Sequence, residues 1–263
     1  MSDEPSQPAD LFGLSGRVAV VTGGSRGLGK EMVMAFAERG ADVVIASRKL
    51  DNCEQLAREV ERATGRSALP VAYHAGSWDD SDRLAEVAYE QFGKVDVLVN
   101  NAGMSPLYKS VDTISEELYD KVFDVNLKGP MRVARAAVPH LRAAGGGSII
   151  NLSSVAGLVG FRGSAAYTAS KGAVKMFSKS VALETARDNI RVNTVHPGII
   201  ETNMQRAAVG DNDAHYDAIA ESIPAGRMGK PREIANCVLF LASDESTYVT
   251  GAEFVVDGGY TAQ

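Results

Sequence analysis

Val18-Ala19-Val20-Val21-Thr22-Gly23-Gly24-Ser25-Arg26-Gly27-Leu28-Gly29 decides the fold of this chain of 263 residues. Its apolar start reads as a short buried strand, and a helix-like stretch from Leu28 to Glu38 follows at once. Between them, glycines allow the positive φ of a tight strand-to-helix turn and bring backbone N–H groups close to a pyrophosphate. The helix N-terminus adds partial positive charge for that anion. The spacing G-x-x-x-G-x-G only partly matches the common G-x-G-x-x-G fingerprint, so a merely tight turn is the competing reading of this stretch alone.

The same alternation continues along the chain. Strand-like runs are Val18 to Val21, Val43 to Ala46, Ala68 to Ala72, Val95 to Val99, Ser148 to Leu152, Arg191 to Val195 and Glu253 to Val256. Helix-like stretches are Leu28–Glu38, Leu50–Ala63, Ser81–Phe92, Glu117–Ala143, Ala166–Ala186 and Pro231–Ala242. Continuous apolar strands separated by helices indicate a parallel sheet covered on both faces. Right-handed crossovers then predict an α/β, Rossmann-like, doubly wound sheet of about seven strands. With no linker, repeat or low-complexity segment, residues 13–263 read as one dinucleotide-binding domain. Residues 1–12 read as a disordered lead-in, polar and acidic from Met1 to Asp10.

Composition excludes several classes. A net charge of −6 and the lack of a concentrated basic run argue against a nucleic-acid surface. Ala143 to Phe161 is uncharged and long enough to span a bilayer, but its five glycines and its Ser148, Asn151, Ser153 and Ser154 read as a turn, a short strand and a polar loop. The start lacks the basic and apolar regions of a signal peptide. Cys53 and Cys237 have no CxxC spacing and read as reduced thiols, and His74, His140, His196 and His215 have no metal-ligand spacing. The expectation is a soluble, cytoplasmic protein without a metal.

Two further features carry chemistry. After the second strand, Ser47-Arg48-Lys49 offers cations and no acid where an adenosine ribose would lie. An arginine pairs with a 2′-phosphate and a carboxylate would repel it, so NADP(H) is favoured over NAD(H), with Arg26 a second candidate contact. Solvated charges at a helix start are the bland alternative. Tyr167 and Lys171 stand four apart, on one face of a helix. A tyrosine titrates near pH ~10, and an ammonium one turn away is expected to lower that value and make the hydroxyl usable for proton transfer. Many solvent-facing helices carry such a pair, so its meaning depends on the rest of the chain.

From roughly Gly16 to Tyr260 the chain resembles the short-chain dehydrogenase/reductase family. The glycine turn matches at Thr22, Gly23, Gly27 and Gly29, and Asn100-Asn101-Ala102-Gly103 follows the fourth strand. Asn126 lies in Val125-Asn126-Leu127-Lys128-Gly129, Ser154 precedes Tyr167 by thirteen residues, and Tyr-x-x-x-Lys follows. Pro197-Gly198, Thr202, Thr250-Gly251 and Asp257-Gly258-Gly259 complete the pattern. One departure is Ala75, aligned where the family has an aspartate that contacts adenine; Ser77 or backbone groups would have to replace it.

The resemblance implies an oxidoreductase that interconverts a ketone and a secondary alcohol. Tyr167 would be the general acid/base, Lys171 would lower its pKa and bind the nicotinamide ribose, and Ser154 would polarise the carbonyl. Asn126, through a backbone carbonyl freed by a helix kink, would hold a water linking Lys171 to solvent. The implied cofactor contacts are Gly23, Ser25, Arg26, Gly27, Leu28, Gly29, Ser47, Arg48, Asn100, Ala102, Gly103, Tyr167, Lys171, Pro197, Gly198, Ile200 and Thr202. Taken singly, Ser153 and Ser154 also fit loop backbone satisfaction, Asn126 a polar helix residue, and Asn100 and Asn101 turn formers.

Substrate choice would fall to Met104–Ser110, Val155–Ala165 and Ile199–Ile223. The last is acidic, with Asp211, Asp213, Asp217 and Glu221, and reads as a mobile lid. Gly160-Phe161 and Met204 would make one wall apolar. A modest ketone or secondary alcohol is expected, with a 3-oxoacyl (ACP or CoA) thioester as the alternative. A non-catalytic dinucleotide sensor is the alternative of another class, disfavoured because it needs no catalytic set. Lone Trp78 reads as a packing residue. Small residues Ala165, Ala166, Ala169 and Ala173, with the family's pairing of its long helices, predict a homotetramer or dimer.

Overall fold

Alternate residues of each apolar run face opposite sides of one sheet, and both sides are covered. The computed structural model describes residues 10–108, 110–202 and 213–263. The lead-in up to Ala9 and the lid positions Met204 and Asp211 lie outside the described residues. Strands β1 (Val18–Thr22), β2 (Asp42–Ser47), β3 (Ala68–Ala72), β4 (Val97–Asn100), β5 (Gly147–Leu152), β6 (Ile190–Pro197) and β7 (Glu253–Val256) pair in the order β3-β2-β1-β4-β5-β6-β7. Every pairing is parallel. Pro70, which cannot donate to a ladder, sits on edge strand β3.

The helices are α1 (Gly27–Glu38), α2 (Leu50–Thr64), α3 (Trp78–Phe92), α4 (Glu116–Phe123), α5 (Gly129–Ala143), α6 (Ala165–Thr185), α7 (Asp213–Glu221) and α8 (Pro231–Ala242). Val21, Ile45 and Val99 meet Phe36 of α1, Val60 of α2 and Val238 of α8 on one face. Val20, Val44 and Leu98 meet Leu84 of α3 and Val133 and Leu141 of α5 on the other. This period of two, buried at both phases, is why the strands read as unbroken apolar runs.

Three expected elements differ. Helix α3 starts at Trp78, not Ser81, because Ser77 accepts a hydrogen bond from Asp80 N and caps it three residues earlier. Trp78, the first residue of that helix, is 45% exposed, and what it packs against is the Arg135 guanidinium 4.6 Å and the Arg132 guanidinium 5.9 Å from its ring centre. The continuous helix Glu117–Ala143 is instead α4 and α5 joined by a π turn at Asp124–Lys128. There the Asp124 carbonyl accepts from Gly129 N, five residues on, and from Arg132 Nη1 at 3.3 Å. Pro130 has no N–H to give the Asn126 carbonyl its usual partner four residues on. Finally, the acidic segment read as a lid contains α7.

The chain leaves β1 for β2 and β3, then returns to β4 on the other side of β1. That reversal opens a crevice at the carboxyl ends of β1 and β4. A buried polar ladder ties the neighbouring strands: Asn100 Nδ2 donates to Asn151 Oδ1 (2.8 Å), and Asn151 Nδ2 donates to Ser178 Oγ of α6 (2.8 Å). Replacing Asn151 by leucine strands the Asn100 donor in the core. A loss of about 1–3 kcal/mol is expected, read as a lower denaturant midpoint than the wild type.

Candidate active site

Residues scattered from position 22 to position 202 assemble at one edge because all seven strands end there. Thr22 and Asn101 close the crevice. Thr22 Oγ1 accepts from Asn101 N (3.0 Å) and Ala102 N (3.2 Å), while Asn101 Nδ2 donates to the carbonyls of Thr22 (3.0 Å) and Gly23 (3.1 Å). Asn101 thereby stitches the glycine turn to the end of β4.

The turn has the shape an anion needs. Gly23 and Gly27 hold φ of 64° and 55°, and a Cβ at Gly29 would stand 2.2 Å from the Gly23 carbonyl oxygen. Nothing lies within 4 Å of a Cβ built on Gly27, so the space above the turn is open. Helix α1 begins there with no side-chain cap and no acid in its first turn. Open N–H groups, close backbone approach and the helix dipole fit a pyrophosphate. Ser25 is half-buried in the turn and Leu28 packs against the core behind it.

Ser47 ends β2, and Arg48 beside it is exposed, as is Arg26. Neither arginine pairs with a carboxylate among the described residues. After β3, Ala75 is buried and its carbonyl accepts from Arg132 Nη1 at 3.1 Å. Ser77, named as a stand-in for the missing acid, is committed to capping α3. Exposed His74 accepts from Gly76 N through Nδ1 at 3.1 Å.

The acid/base group forms where β4, the π turn, the loop after β5 and α6 meet. Asn126 is wholly buried; its Oδ1 accepts from Met104 N (2.9 Å), and its Nδ2 donates to Met104 O (2.9 Å) and Ser170 Oγ (3.1 Å). Ser170 in turn donates to the Tyr167 carbonyl at 2.7 Å. A Cβ at Gly103 would lie 3.4 Å from Asn126 Oδ1 and 3.6 Å from Lys171 Nζ, so Gly103 leaves room between them. Ser154 follows β5; its Oγ accepts from Ala156 N at 3.1 Å, and its side chain lies close enough to Tyr167 to lower the tyrosine pKa. Ser153 also satisfies backbone, donating to the Lys171 carbonyl at 2.9 Å.

The Tyr167–Lys171 pair departs from expectation in its electrostatics. Lys171 is buried, its Nζ donates to the Leu152 carbonyl at 2.7 Å, and it lies 5.8 Å from the centre of the Tyr167 ring. Desolvation raises the Tyr167 pKa, and the Ser154 hydrogen bond only partly offsets it. The net direction is upward, because burial of the hydroxyl outweighs the groups around it. Desolvation also lowers Lys171, to about 8.

After β6, Pro197 ends the strand, Gly198 N donates to Val256 O (2.9 Å), and Ile200 is buried. Thr202 lies at the last described position before residue 203. Asp257 takes hydrogen bonds from Gly259 N, Thr261 N and Thr261 Oγ1, and the adjacent Tyr260 ring stacks on Phe161, 5.9 Å between centres and 11° between planes. This pair puts an aromatic surface beside the loop after β5, which the sequence showed only as Phe161.

Residues 23–261 match the family model described as enoyl-(acyl carrier protein) reductase. The chain is 41% identical over 246 residues to the 3-oxoacyl-[acyl-carrier-protein] reductase of Thermotoga maritima, covering 94% of this chain and 98% of the relative. It is 42% identical over 257 residues to the NADP-dependent (R)-specific alcohol dehydrogenase of Lentilactobacillus kefiri, covering 95% and 98%. The L-sorbose reductase of Gluconobacter frateurii, solved with NADPH and L-sorbose, superposes with a TM-score of 0.92 at 33% identity over 96% of this chain and 99% of that one.

The Lys171 shift has a pH signature. An unfolded lysine, near 10.5, binds more protons than the folded one between pH 8 and 10.5, so this group makes stability rise with pH in that window. Lys171→Met is expected to remove that rise, measured as Tm of both proteins across pH 7 to 10.5.

Proposed function

The chain belongs to the short-chain dehydrogenase/reductase family, and we propose that it transfers hydride between NADP(H) and a small ketone or secondary alcohol. The observation that carries this reading is the joining of Asn126, Ser154, Tyr167 and Lys171 beside an anion-ready glycine turn. When bound, the dinucleotide supplies or accepts the hydride. Gly23, Ser25, Arg26, Gly27, Leu28 and Gly29 would cradle its pyrophosphate, Ser47 and Arg48 its ribose phosphate, and Asn100, Ala102 and Gly103 the middle of the groove. Pro197, Gly198, Ile200 and Thr202 would border its nicotinamide end.

Tyr167 holds the transferable proton at its hydroxyl. The upward shift of its pKa keeps it loaded at neutral pH, which suits the acid needed in carbonyl reduction. Ser154 steadies the carbonyl oxygen as a second donor. Lys171, titrating near 8, supplies positive charge that favours the tyrosinate in the oxidising direction. The Asn126 carbonyl, denied an N–H by Pro130, is the acceptor for a water that carries protons between Lys171 and solvent.

NADP(H) over NAD(H) rests on Arg48 and Arg26, exposed cations that pair with no carboxylate among the described residues. The apolar Phe161–Tyr260 wall supports a small ketone or alcohol. The second reading, a 3-oxoacyl thioester, is favoured by 41% identity to the Thermotoga maritima reductase. Exposed Met176 (57%) and Leu183 (84%) on α6 support a homotetramer built on that helix. No helix among the described residues is long and apolar enough to cross a membrane, and Cys53 and Cys237 are free, in keeping with a cytoplasmic protein.

Ketones, secondary alcohols and 3-oxoacyl thioesters assayed with both cofactors test this reading by nicotinamide absorbance. Tight NADPH binding without turnover of any class would establish a sensor instead. Tyr167→Phe is expected to cut kcat by about 10²–10⁴ while the NADPH Kd stays within a few-fold; activity near wild type removes Tyr167 from proton transfer. Arg48→Ala is expected to weaken NADPH by about 1–3 kcal/mol and NADH far less, in fluorescence titrations. Equal losses contradict the phosphate contact.

A further inference from the structure

The ladder between β5 and β6 ends where Ser153 N donates to Val195 O at 2.8 Å. One residue further on, the Ser154 carbonyl is held by Gly157 N at 2.8 Å and by a side chain, His196, whose Nδ1 lies 3.0 Å away. The ring is wholly buried. We infer that His196 is a positioning residue for Ser154, its Nδ1–H gripping the serine's backbone carbonyl so that the hydroxyl stays directed at Tyr167. This rests on the catalytic role proposed above for Ser154.

The tautomer follows from the neighbours. A carbonyl only accepts, so the contact at 3.0 Å requires the proton on Nδ1. Nε2 then has no donor to meet, and it is a buried nitrogen without a hydrogen-bond partner. Glu253 Oε2 lies 3.5 Å from it, and that carboxylate is already compensated by Lys179 at 2.5 Å and Lys175 at 3.9 Å. An imidazolium could serve both sides, but burial lowers the His196 pKa and keeps the ring neutral at neutral pH. A purely space-filling residue at this position would not need one nitrogen aimed at a carbonyl. An unsatisfied Nε2 is tolerated because the Nδ1 contact fixes the ring. His196 also directly precedes Pro197 and Gly198, so the same ring couples the serine loop to the segment beside the nicotinamide end of the groove.

The two nitrogens can be imitated separately. An asparagine amide reaches the Nδ1 position and a glutamine amide the Nε2 position. His196→Leu is expected to lower kcat about tenfold, the size of one lost positioning hydrogen bond, with the NADPH Kd within about twofold. His196→Asn should recover most of that loss and His196→Gln should not. In the wild type, ¹⁵N spectra of the histidine rings, assigned with His196→Asn, should show the Nδ1–H form. An Nε2–H ring, or equal kcat in the Leu, Asn and Gln variants, overturns the proposal. The ring spectrum reads the tautomer without turnover, so a wild type that turns over no substrate defeats the catalytic reading while the Ser154 contact is still judged. If the leucine variant does not fold, the Asn–Gln contrast and the spectrum decide.

Discussion

Parallel pairing is the constraint on which the rest depends. Strands that all run one way all end at one edge, so loops more than a hundred residues apart in sequence are delivered to one crevice. Burial on both faces then leaves that edge as the place where backbone polar groups can turn toward a ligand. The Thr22–Asn101 contacts fix the two loops at the switch point, and the Asn100–Asn151–Ser178 ladder carries the same order across to the long helix that bears Tyr167 and Lys171. Site geometry is therefore set by the sheet's own polar pairings, and no separate scaffold for the site is required.

Much of this was legible in the sequence. All seven strands, and every helix with strong apolar periodicity, show in the pattern of residues because two-face burial writes unbroken apolar runs and one-face burial writes a stripe. What the pattern hid has physical reasons. The break at Asp124–Lys128 follows from Pro130 and from the claims of Arg132 and Met104 on nearby polar groups. Gly129-Pro130 inside an expected helix was the available signal. Helix Asp213–Glu221 is only nine residues long and three of its apolar residues are alanines, so no apolar stripe lifts it out of an acidic loop.

The candidate site was legible as a set of residues but not as an electrostatic state. Spacing places Tyr167 and Lys171 on one face; it does not say how deeply they are buried or that Nζ turns to the Leu152 carbonyl. Burial is what raises the tyrosine pKa. Ser170 and the Phe161–Tyr260 stack were likewise invisible, since each owes its place to a partner far away in sequence.

The π turn in the middle of Glu116–Ala143 has a wider consequence. It inserts one residue beyond what a regular helix needs, and regular helices are the more stable form. Removing one residue from this stretch would change the phase of the helix before it relative to the helix after it, and so rotate Asn126 away from Met104 and Ser170. The extra residue is thus a phase setting: it lets Val133 and Leu141 face the sheet while the asparagine before them faces the loop at Met104.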